Sequence, residues 1–260
     1  MSKKTVTVLS IVLLVLGFAI VCYPSVSDFV NGLNGSYAIA QLRRIMDNTG
    51  TEEQKAQRAL AEAYNRALLL GEEEGYDDIL NISDGMMGYL EIGKIKVNLP
   101  IYHGVGEDVL AKGVGHMPQS AFPIGGTGNH AVLTGHTGLP SARLLTDLTK
   151  LEEGDSFAIH ILGQELRYQV DQIKVVLPSE GQDLAAEPGK DYCTLVTCTP
   201  YGINSHRLLV RGSRVEEEPQ TEAQPLQDGR QTRPTWLVAA MVLAVLTLPL
   251  TIFLLLKRKG

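Results

Sequence analysis

Two long uncharged stretches, near the two ends of the chain, most limit what it can fold into. Residues 5–27 and 235–256 contain no charged side chain. Each reaches the roughly 20 apolar residues that a helix needs to cross a bilayer. Basic residues flank the outer side of both stretches, at positions 3–4 and 257–259. Because basic residues favour the cytoplasmic side, we predict two transmembrane helices, both termini in the cytoplasm and the middle of the chain outside the cell.

The first stretch can also be interpreted as a cleaved signal peptide. Such a peptide ends at a small-x-small cleavage site. No site of that kind is found around residues 19–23. A retained anchor is therefore favoured, which places the chain at the cell membrane.

Charge and cysteine content narrow the partners of the middle segment. The two ends carry five basic residues and no acidic ones, which leaves 18 basic against 29 acidic residues and a net charge of −11 between them. This charge opposes binding to a phosphate backbone, so nucleic acid is not an expected partner. The three cysteines and six histidines show no paired zinc-ligand spacing, so we expect neither a disulfide scaffold nor a metal site.

Between the anchors, one helical segment precedes a region of short strands. Residues 51–70 predict an amphipathic helix with a capping box of Thr51 and Gln54, ended by Gly71. Its apolar stripe predicts packing against the rest of the domain; the stripe comprises Leu60, Ala63, Tyr64, Ala67 and Leu68. After residue 87, short β-forming runs alternate with Gly, Pro and Asp, which is typical of a β-sandwich or closed barrel. The predicted strands cover residues 88–92, 97–102, 130–134, 156–161, 166–176, 193–199 and 206–211.

The resulting organisation has five parts. Residues 1–27 form a cytoplasmic stub and the N-terminal anchor, residues 28–86 a helical extension, and residues 87–215 the β domain. Residues 216–234 are polar, contain proline and form a linker. Residues 235–260 form the C-terminal transmembrane helix with its basic cytoplasmic tail.

The segment TLVTCTP, at residues 194–200, carries a candidate nucleophile. Side chains alternate along a strand, so Cys193 and Cys198 face opposite sides. Pro200 ends the strand and leaves Cys198 at its edge beside a loop. Cys193 is expected to be a small buried hydrophobe. Position alone leaves Cys198 open between that role and a nucleophile.

Two further residues complete a possible catalytic set. If the strand that begins at His206 pairs with the cysteine strand, Arg207 returns beside Cys198. There a guanidinium favours the thiolate and can hold an oxyanion, although a solvated strand-end charge is the ordinary role. A leaving amine also needs a proton donor, which histidine supplies near neutral pH. His136, at a strand end beside glycines, is better placed to donate that proton than His130 at the strand start. For the other four histidines we expect ordinary polar roles.

These motifs together resemble the sortase family. TLVTC at residues 194–198, followed by TPYGINSHRLLVRG, is similar to the sortase signature TLxTC…R, and AVLTGHTGLPSARLLTDL carries the family histidine. MGYLEIGKIKVNLPIYHG at residues 87–104 and the two-anchor plan resemble class C, the pilus-assembling sortases. The resemblance extends over about residues 64–214. It implies that His136, Cys198 and Arg207 are the catalytic residues.

The resemblance also implies a fold, a location and a reaction. The fold is an eight-stranded closed β-barrel of the sortase type, on the surface of a Gram-positive bacterium. The Cys198 thiolate attacks the Thr–Gly bond of an LPxTG-like sorting signal, and the lysine amine of a pilin subunit resolves the thioacyl enzyme, joining pilins into covalent pili. No metal or organic cofactor is implied. The alternatives are a sortase that anchors surface proteins to cell-wall peptidoglycan and a non-catalytic surface binding protein.

Two segments test this resemblance. Class C sortases usually carry a lid with an Asp-Pro-aromatic motif, but GEEEGYDDIL at residues 71–80 lacks it. The lid is either absent or formed by Tyr76 and Asp77, and an acidic surface turn is the other interpretation. Sortase substrates also end in an apolar span with a basic tail, preceded by an LPxTG-like pentapeptide. Residues 231–236 read QTRPTW and lack the pentapeptide, which favours an anchor.

Overall fold

The computed structural model describes residues 2–72 and 74–215 of the 260-residue chain. Two compact units divide between residues 30 and 31. The predicted linker at residues 216–234 and the predicted second anchor at 235–256 lie outside the described residues.

Helix α1 spans Lys3–Asn48 and contains the predicted N-terminal anchor. Over the described residues, one helix is long and apolar enough to cross a membrane; it runs through Thr5–Asn48, with a most apolar window of mean hydropathy 2.8 that is not buried. Farther along α1, Ile39 and Leu42 are buried against aromatic residues of the β domain. This part of the helix therefore packs on the domain through side chains, as an N-terminal helical extension.

Helix α2 spans Thr51–Leu68, two residues shorter than predicted. The predicted capping box is wrong, because Gly50 occupies the N-cap and Thr51 already lies in the first turn. Gln54 instead donates Nε2 hydrogen bonds to the carbonyls of Met46 and Thr49, at 3.0 and 3.1 Å. These bonds tie the start of α2 to the end of α1.

The buried face of α2 also differs from the predicted stripe. Ala61, Tyr64 and Asn65 are buried, whereas Leu60 and Ala63 are exposed. Asn65 accepts from the Phe122 amide at 2.7 Å and donates to its carbonyl at 3.2 Å. A polar residue therefore occupies the core face of α2, because it satisfies the backbone of an irregular segment.

Eight strands form a closed barrel, as predicted. They are β1 Met86–Ile92, β2 Val97–His103, β3 Val114–His116, β4 Asn129–Thr134, β5 Ser156–Ile161, β6 Gln164–Val176, β7 Asp191–Thr199 and β8 His206–Arg214. Their order around the barrel is β1-β2-β3-β4-β7-β8-β6-β5. A short helix, α3 at Glu107–Leu110, precedes β3. Strand β3 has three residues, one of them glycine, and was missed because so short a segment shows no alternation.

Neighbouring strands place alternate residues inside and outside the barrel. Leu133, Leu195 and Val210 belong to the main core. A second cluster, on the outer face of β4, β6, β7 and β8, consists of Val132, Val176, Val196 and Leu209. We call it the outer apolar cluster. Its position matters because Val196 and Leu209 precede and follow the candidate site on the same face of the sheet.

Candidate active site

Cys198 and Arg207 lie opposite each other near the ends of β7 and β8. The two residues are direct partners in the antiparallel ladder. Directly opposed side chains project from the same face, with Cβ atoms about 4.5–5.5 Å apart. Both side chains are partly exposed, on the outer face of the barrel. The predicted return of Arg207 to the cysteine strand is therefore confirmed.

His136 reaches the same level through the parallel pairing of β4 with β7. Thr134 lies opposite Val196, so His136 and Cys198 each lie two residues farther along. The turn is held by two hydrogen bonds: Gly135 N donates to Val196 O at 3.0 Å, and Thr197 Oγ1 donates to Gly135 O at 2.7 Å. The three predicted residues thus converge on one edge of the barrel.

Gly135 is required by close packing rather than by an unusual backbone angle. A Cβ atom at this position would lie 2.8 Å from Leu145 Cδ1, which is closer than real contacts allow. Leu145 itself is fully buried. A side chain at residue 135 would displace the turn that carries His136.

Glu107 is a residue at the site that the sequence did not reveal. Its Oε2 lies 3.3 Å from His136 Nε2, and its side chain is 90% exposed whereas that of His136 is 22% exposed. Glu107 opens α3 and lies 29 residues before His136, so no local pattern links the two. The contact leaves the other ring nitrogen of His136 available for proton transfer.

Arg207 is held by the loop that connects its strand to the cysteine strand. Its Nη1 donates to the carbonyls of Asn204 and His206, at 3.3 and 3.2 Å. Arg211, four residues on, is occupied elsewhere by a bidentate pair with Asp171 at 2.9 and 3.1 Å. Arg207 is thus the guanidinium placed beside the thiol.

Exposed apolar residues occur on the two segments that flank the Cys198–Arg207 pair in the sheet. Val175 and Leu177 lie at the end of β6 and just beyond it, where Val176 pairs with Arg207. Tyr201 and Ile203 lie in the loop after Cys198 and are 67% and 72% exposed. The exposed side chains of the loop after Cys198 suit contact with an extended peptide that carries apolar side chains.

The segment that the sequence left open between a lid and an acidic surface turn is anchored through Tyr76. The Tyr76 hydroxyl accepts from Gly104 N at 3.0 Å and contacts the carbonyl and Nδ1 of His116 at 3.0 and 2.9 Å. Its ring stacks on Phe122 with centroids 5.3 Å apart, and burial raises its pKa. Tyr76 is therefore a packing residue, while the neighbouring Asp77 and Asp78 are exposed as in a surface turn.

No cluster of three or more metal-ligating side chains is present in the part of the chain that the structure describes. No disulfide joins cysteines among the residues that the structure describes, and Cys193 is fully buried as predicted. The candidate site thus consists of a thiol, an imidazole, a guanidinium and one exposed carboxylate.

Comparison with known proteins assigns the family. A sortase domain model matches residues 90–215. Sortase C1 from Streptococcus agalactiae is 43% identical, with a TM-score of 0.67, over 70% of this chain and 100% of that one. Clostridium perfringens sortase C, solved with the C-terminal cell wall sorting motif, is 44% identical, with a TM-score of 0.66, over 70% and 99%. A pilus-related sortase C of Group B Streptococcus is 38% identical, with a TM-score of 0.62, over 67% and 95%.

The chain belongs to the sortase family of cysteine transpeptidases, and its structural neighbours are class C sortases. The family predicted from the sequence is thereby confirmed. Curated sortases are matched over less of their length: sortase D of Bacillus subtilis and sortase A of Bacillus anthracis are spanned over 63% and 60% of their residues.

Proposed function

We propose that this chain is a membrane-anchored, pilus-assembling sortase of class C. Cys198 is its nucleophile, His136 its acid and base, and Arg207 its oxyanion partner. The observation that carries the proposal is the register that places Cys198 opposite Arg207 and His136 level with both. A thiol, an imidazole and a guanidinium at one strand edge supply the three functions that acyl transfer through a thioester requires.

The first half of the reaction cleaves a sorting signal. The Cys198 thiolate attacks the threonine carbonyl of the Thr–Gly bond in an LPxTG-like segment. The Arg207 guanidinium donates hydrogen bonds to the oxyanion that forms. His136 gives its proton to the departing glycine amine, the carbon–nitrogen bond breaks, and the threonine remains on Cys198 as a thioester.

The second half joins the threonine to a new amine. A pilin lysine attacks the thioester carbonyl, and His136 takes the proton that the amine loses. An isopeptide bond forms as the carbon–sulfur bond breaks, and the Cys198 thiolate is regenerated. The proton returns to the imidazole for the next cycle, so no cofactor is needed to balance the reaction.

The comparisons support the substrate class. One solved relative is described with a C-terminal cell wall sorting motif, and another as pilus-related. The exposed Tyr201 and Ile203, in the loop after Cys198, suit contact with the leucine and proline of such a motif. We extend the same partners, sorting-signal proteins and a pilin lysine, to this chain.

The proposed location follows from the anchors. The apolar helix through Thr5–Asn48 supports attachment to the membrane. With the basic flanks at residues 3–4 and 257–259, we propose two spans, cytoplasmic termini and an extracellular barrel. The five parts predicted from the sequence, including residues 28–86 as the extension and 87–215 as the catalytic domain, remain the proposed organisation.

The experiment is a denaturing-gel immunoblot of pilin from cells that express either the native chain or Cys198→Ala. A covalent ladder of high mass is expected with the native chain and not with the variant. Cys22→Ala, which removes a thiol outside the barrel, is the matched control and should keep the ladder. A ladder that persists in Cys198→Ala would remove this chain from polymerisation, and the wall-anchoring alternative would replace it.

A further inference from the structure

His130 is a buried histidine that the proposed mechanism does not use. It lies in β4 and is 2% exposed. Its Nδ1 is 2.9 Å from the Ala185 carbonyl, and its Nε2 is 2.7 Å from Thr194 Oγ1. A carbonyl only accepts, so Nδ1 carries the hydrogen, and Nε2 of the neutral ring accepts from the Thr194 hydroxyl. Burial lowers the pKa of His130 and so favours this neutral form.

Ala185 belongs to the segment that joins β6 to β7, residues 177–190, which we call the β6–β7 segment. It contains one short 3₁₀ helix, Gln182–Leu184, and two turns. Two ion pairs also attach it to the barrel: Lys174 with Asp183 at 2.5 Å, and Arg211 with Glu187 at 3.5 Å. Both pairs are partly exposed and are weakened by water and salt. The His130–Ala185 bond is part-buried, and its donor lies on a ring that is 2% exposed.

The β6–β7 segment borders the surface next to the candidate nucleophile. Leu184 packs on the outer apolar cluster, which includes Val196 and Leu209. Val196 lies two residues before Cys198, and Leu209 lies two residues after Arg207, on the same face of the sheet. The segment that His130 holds is thus one wall beside the Cys198–Arg207 pair.

We propose that His130 is a positioning residue that pins the β6–β7 segment as a wall of the groove in which a sorting peptide binds. The inference rests on the proposed function for the identity of the peptide. A pinned wall is ordered before the peptide arrives, so binding does not have to bear the entropy of ordering it. Loss of the His130–Ala185 hydrogen bond therefore weakens peptide binding and leaves the chemistry at Cys198 intact.

Two substitutions separate the two hydrogen bonds of the ring. In His130→Asn, the side-chain amide nitrogen lies near the position of Nδ1 and can still donate to Ala185. In His130→Gln, the amide lies near the position of Nε2 and reaches Thr194 instead. The full chain in detergent is assayed for cleavage of an LPxTG peptide. His130→Gln is expected to raise KM about tenfold, which corresponds to the loss of roughly one hydrogen bond, and to keep kcat within about threefold. His130→Asn should stay near native in both.

Amide hydrogen exchange measures whether His130 holds the β6–β7 segment, and the measurement does not depend on activity. In His130→Gln, exchange in residues 177–190 is expected to accelerate, whereas exchange in β1 and β2 stays unchanged. His160→Gln is the matched control, since His160 lies on β5 and stacks on Tyr89 with centroids 4.2 Å apart. It should alter neither KM nor exchange in the β6–β7 segment. If His130→Gln does not fold, Thr194→Val removes the hydroxyl that donates a hydrogen bond to Nε2, and it should accelerate the same exchange by a smaller factor.

The outcomes separate the inference from the proposed function. Unchanged exchange in residues 177–190 of His130→Gln would show that His130 does not pin the segment. Accelerated exchange with unchanged KM would show that the segment is not a wall of the groove. If the native chain cleaves no sorting peptide, both the proposed function and the peptide-binding groove are contradicted. The exchange measurement would still show whether His130 holds the β6–β7 segment.

Discussion

Strand β4 and the turn after it carry two histidines, six residues apart, in opposite surroundings. His130 is buried, and both of its ring nitrogens are hydrogen bonded at 2.7–2.9 Å. His136 is 22% exposed, and its Nε2 lies 3.3 Å from Glu107 Oε2. The first ring is fixed in one tautomer, and the second keeps a nitrogen available. A proton carrier needs the second arrangement, because a ring with both nitrogens bonded inside the fold cannot exchange its proton with substrate.

The two cysteines of β7 repeat this division. Cys193 points into the barrel, is fully buried, and has its thiol pKa raised by burial. Cys198 lies on the outer face beside Arg207 and is partly exposed. One strand thus carries a packing thiol and an accessible thiol, distinguished by the face each occupies.

The largest effect is expected from replacing each of these two cysteines separately with alanine. Cys198→Ala should reduce peptide cleavage by roughly 10³-fold or more, since removing a nucleophile disables both half-reactions. Cys193→Ala should keep the activity and lower the free energy of unfolding by about 1–2 kcal/mol. Cleavage rates and thermal denaturation by circular dichroism measure the two effects. A native cleavage rate in Cys198→Ala would contradict the assignment of Cys198 as nucleophile and Cys193 as packing residue.

Arg207→Ala should lower kcat/KM by roughly 10²–10³-fold, the usual loss when an oxyanion donor is removed. Arg214→Ala is the control on the same strand, since Arg214 lies at the far end of β8 over the Tyr168 ring. Its kcat/KM should remain near native. Equal losses in both variants would mean that Arg207 acts through stability and not at the reacting carbonyl.

A third histidine extends the comparison to pH. His116 is fully buried, and burial lowers its pKa from 6.5 to about 4. Below about pH 6.5 the unfolded chain binds a proton at His116 that the folded chain does not bind. The free energy of unfolding is therefore unaffected above that pH and decreases as the pH falls towards 4. Between pH 7 and pH 5 the loss should be about 2 kcal/mol. Denaturant unfolding of the full chain at the two pH values measures it, and His116→Gln should flatten the dependence; an equal slope in that variant would assign the loss to other groups.

The smallest effect is expected at Glu107. Exposed ion pairs contribute about 0.2–1 kcal/mol, so Glu107→Gln should lower kcat/KM by roughly two- to fivefold through poorer orientation of His136. Asp108→Asn removes the same charge one residue away and should have no effect. If both variants lose activity equally, the general negative charge of α3 matters and not the contact with His136.

Much of the barrel could be predicted from the sequence, because its strands are bounded by turn residues. Alternation along TLVTC correctly placed Cys193 inside and Cys198 outside. The pairing of Arg207 with Cys198 followed from one hairpin-like connection and was also correct. These predictions depend on neighbours in sequence, where strand geometry leaves few alternatives.

The remaining features depend on distant contacts. Glu107 meets His136 across 29 residues, and Ala185 meets His130 across 55. Strand β3 exists because β2 and β4 provide partners on both sides, although its three residues show no pattern. The capping box failed because two positions, Gly50 and Thr51, can each begin a helix, and the end of α1 selects the first.

The central claim, that Cys198 forms a thioester with a sorting peptide, is tested most directly by mass spectrometry. The full chain is mixed with an LPxTG peptide in the absence of an acceptor amine, quenched in acid and digested. The account predicts an adduct that ends at the threonine, located on Cys198 and released by added lysine or hydroxylamine. An absence of adduct while the peptide is cleaved, or an adduct that persists in Cys198→Ala, would contradict it.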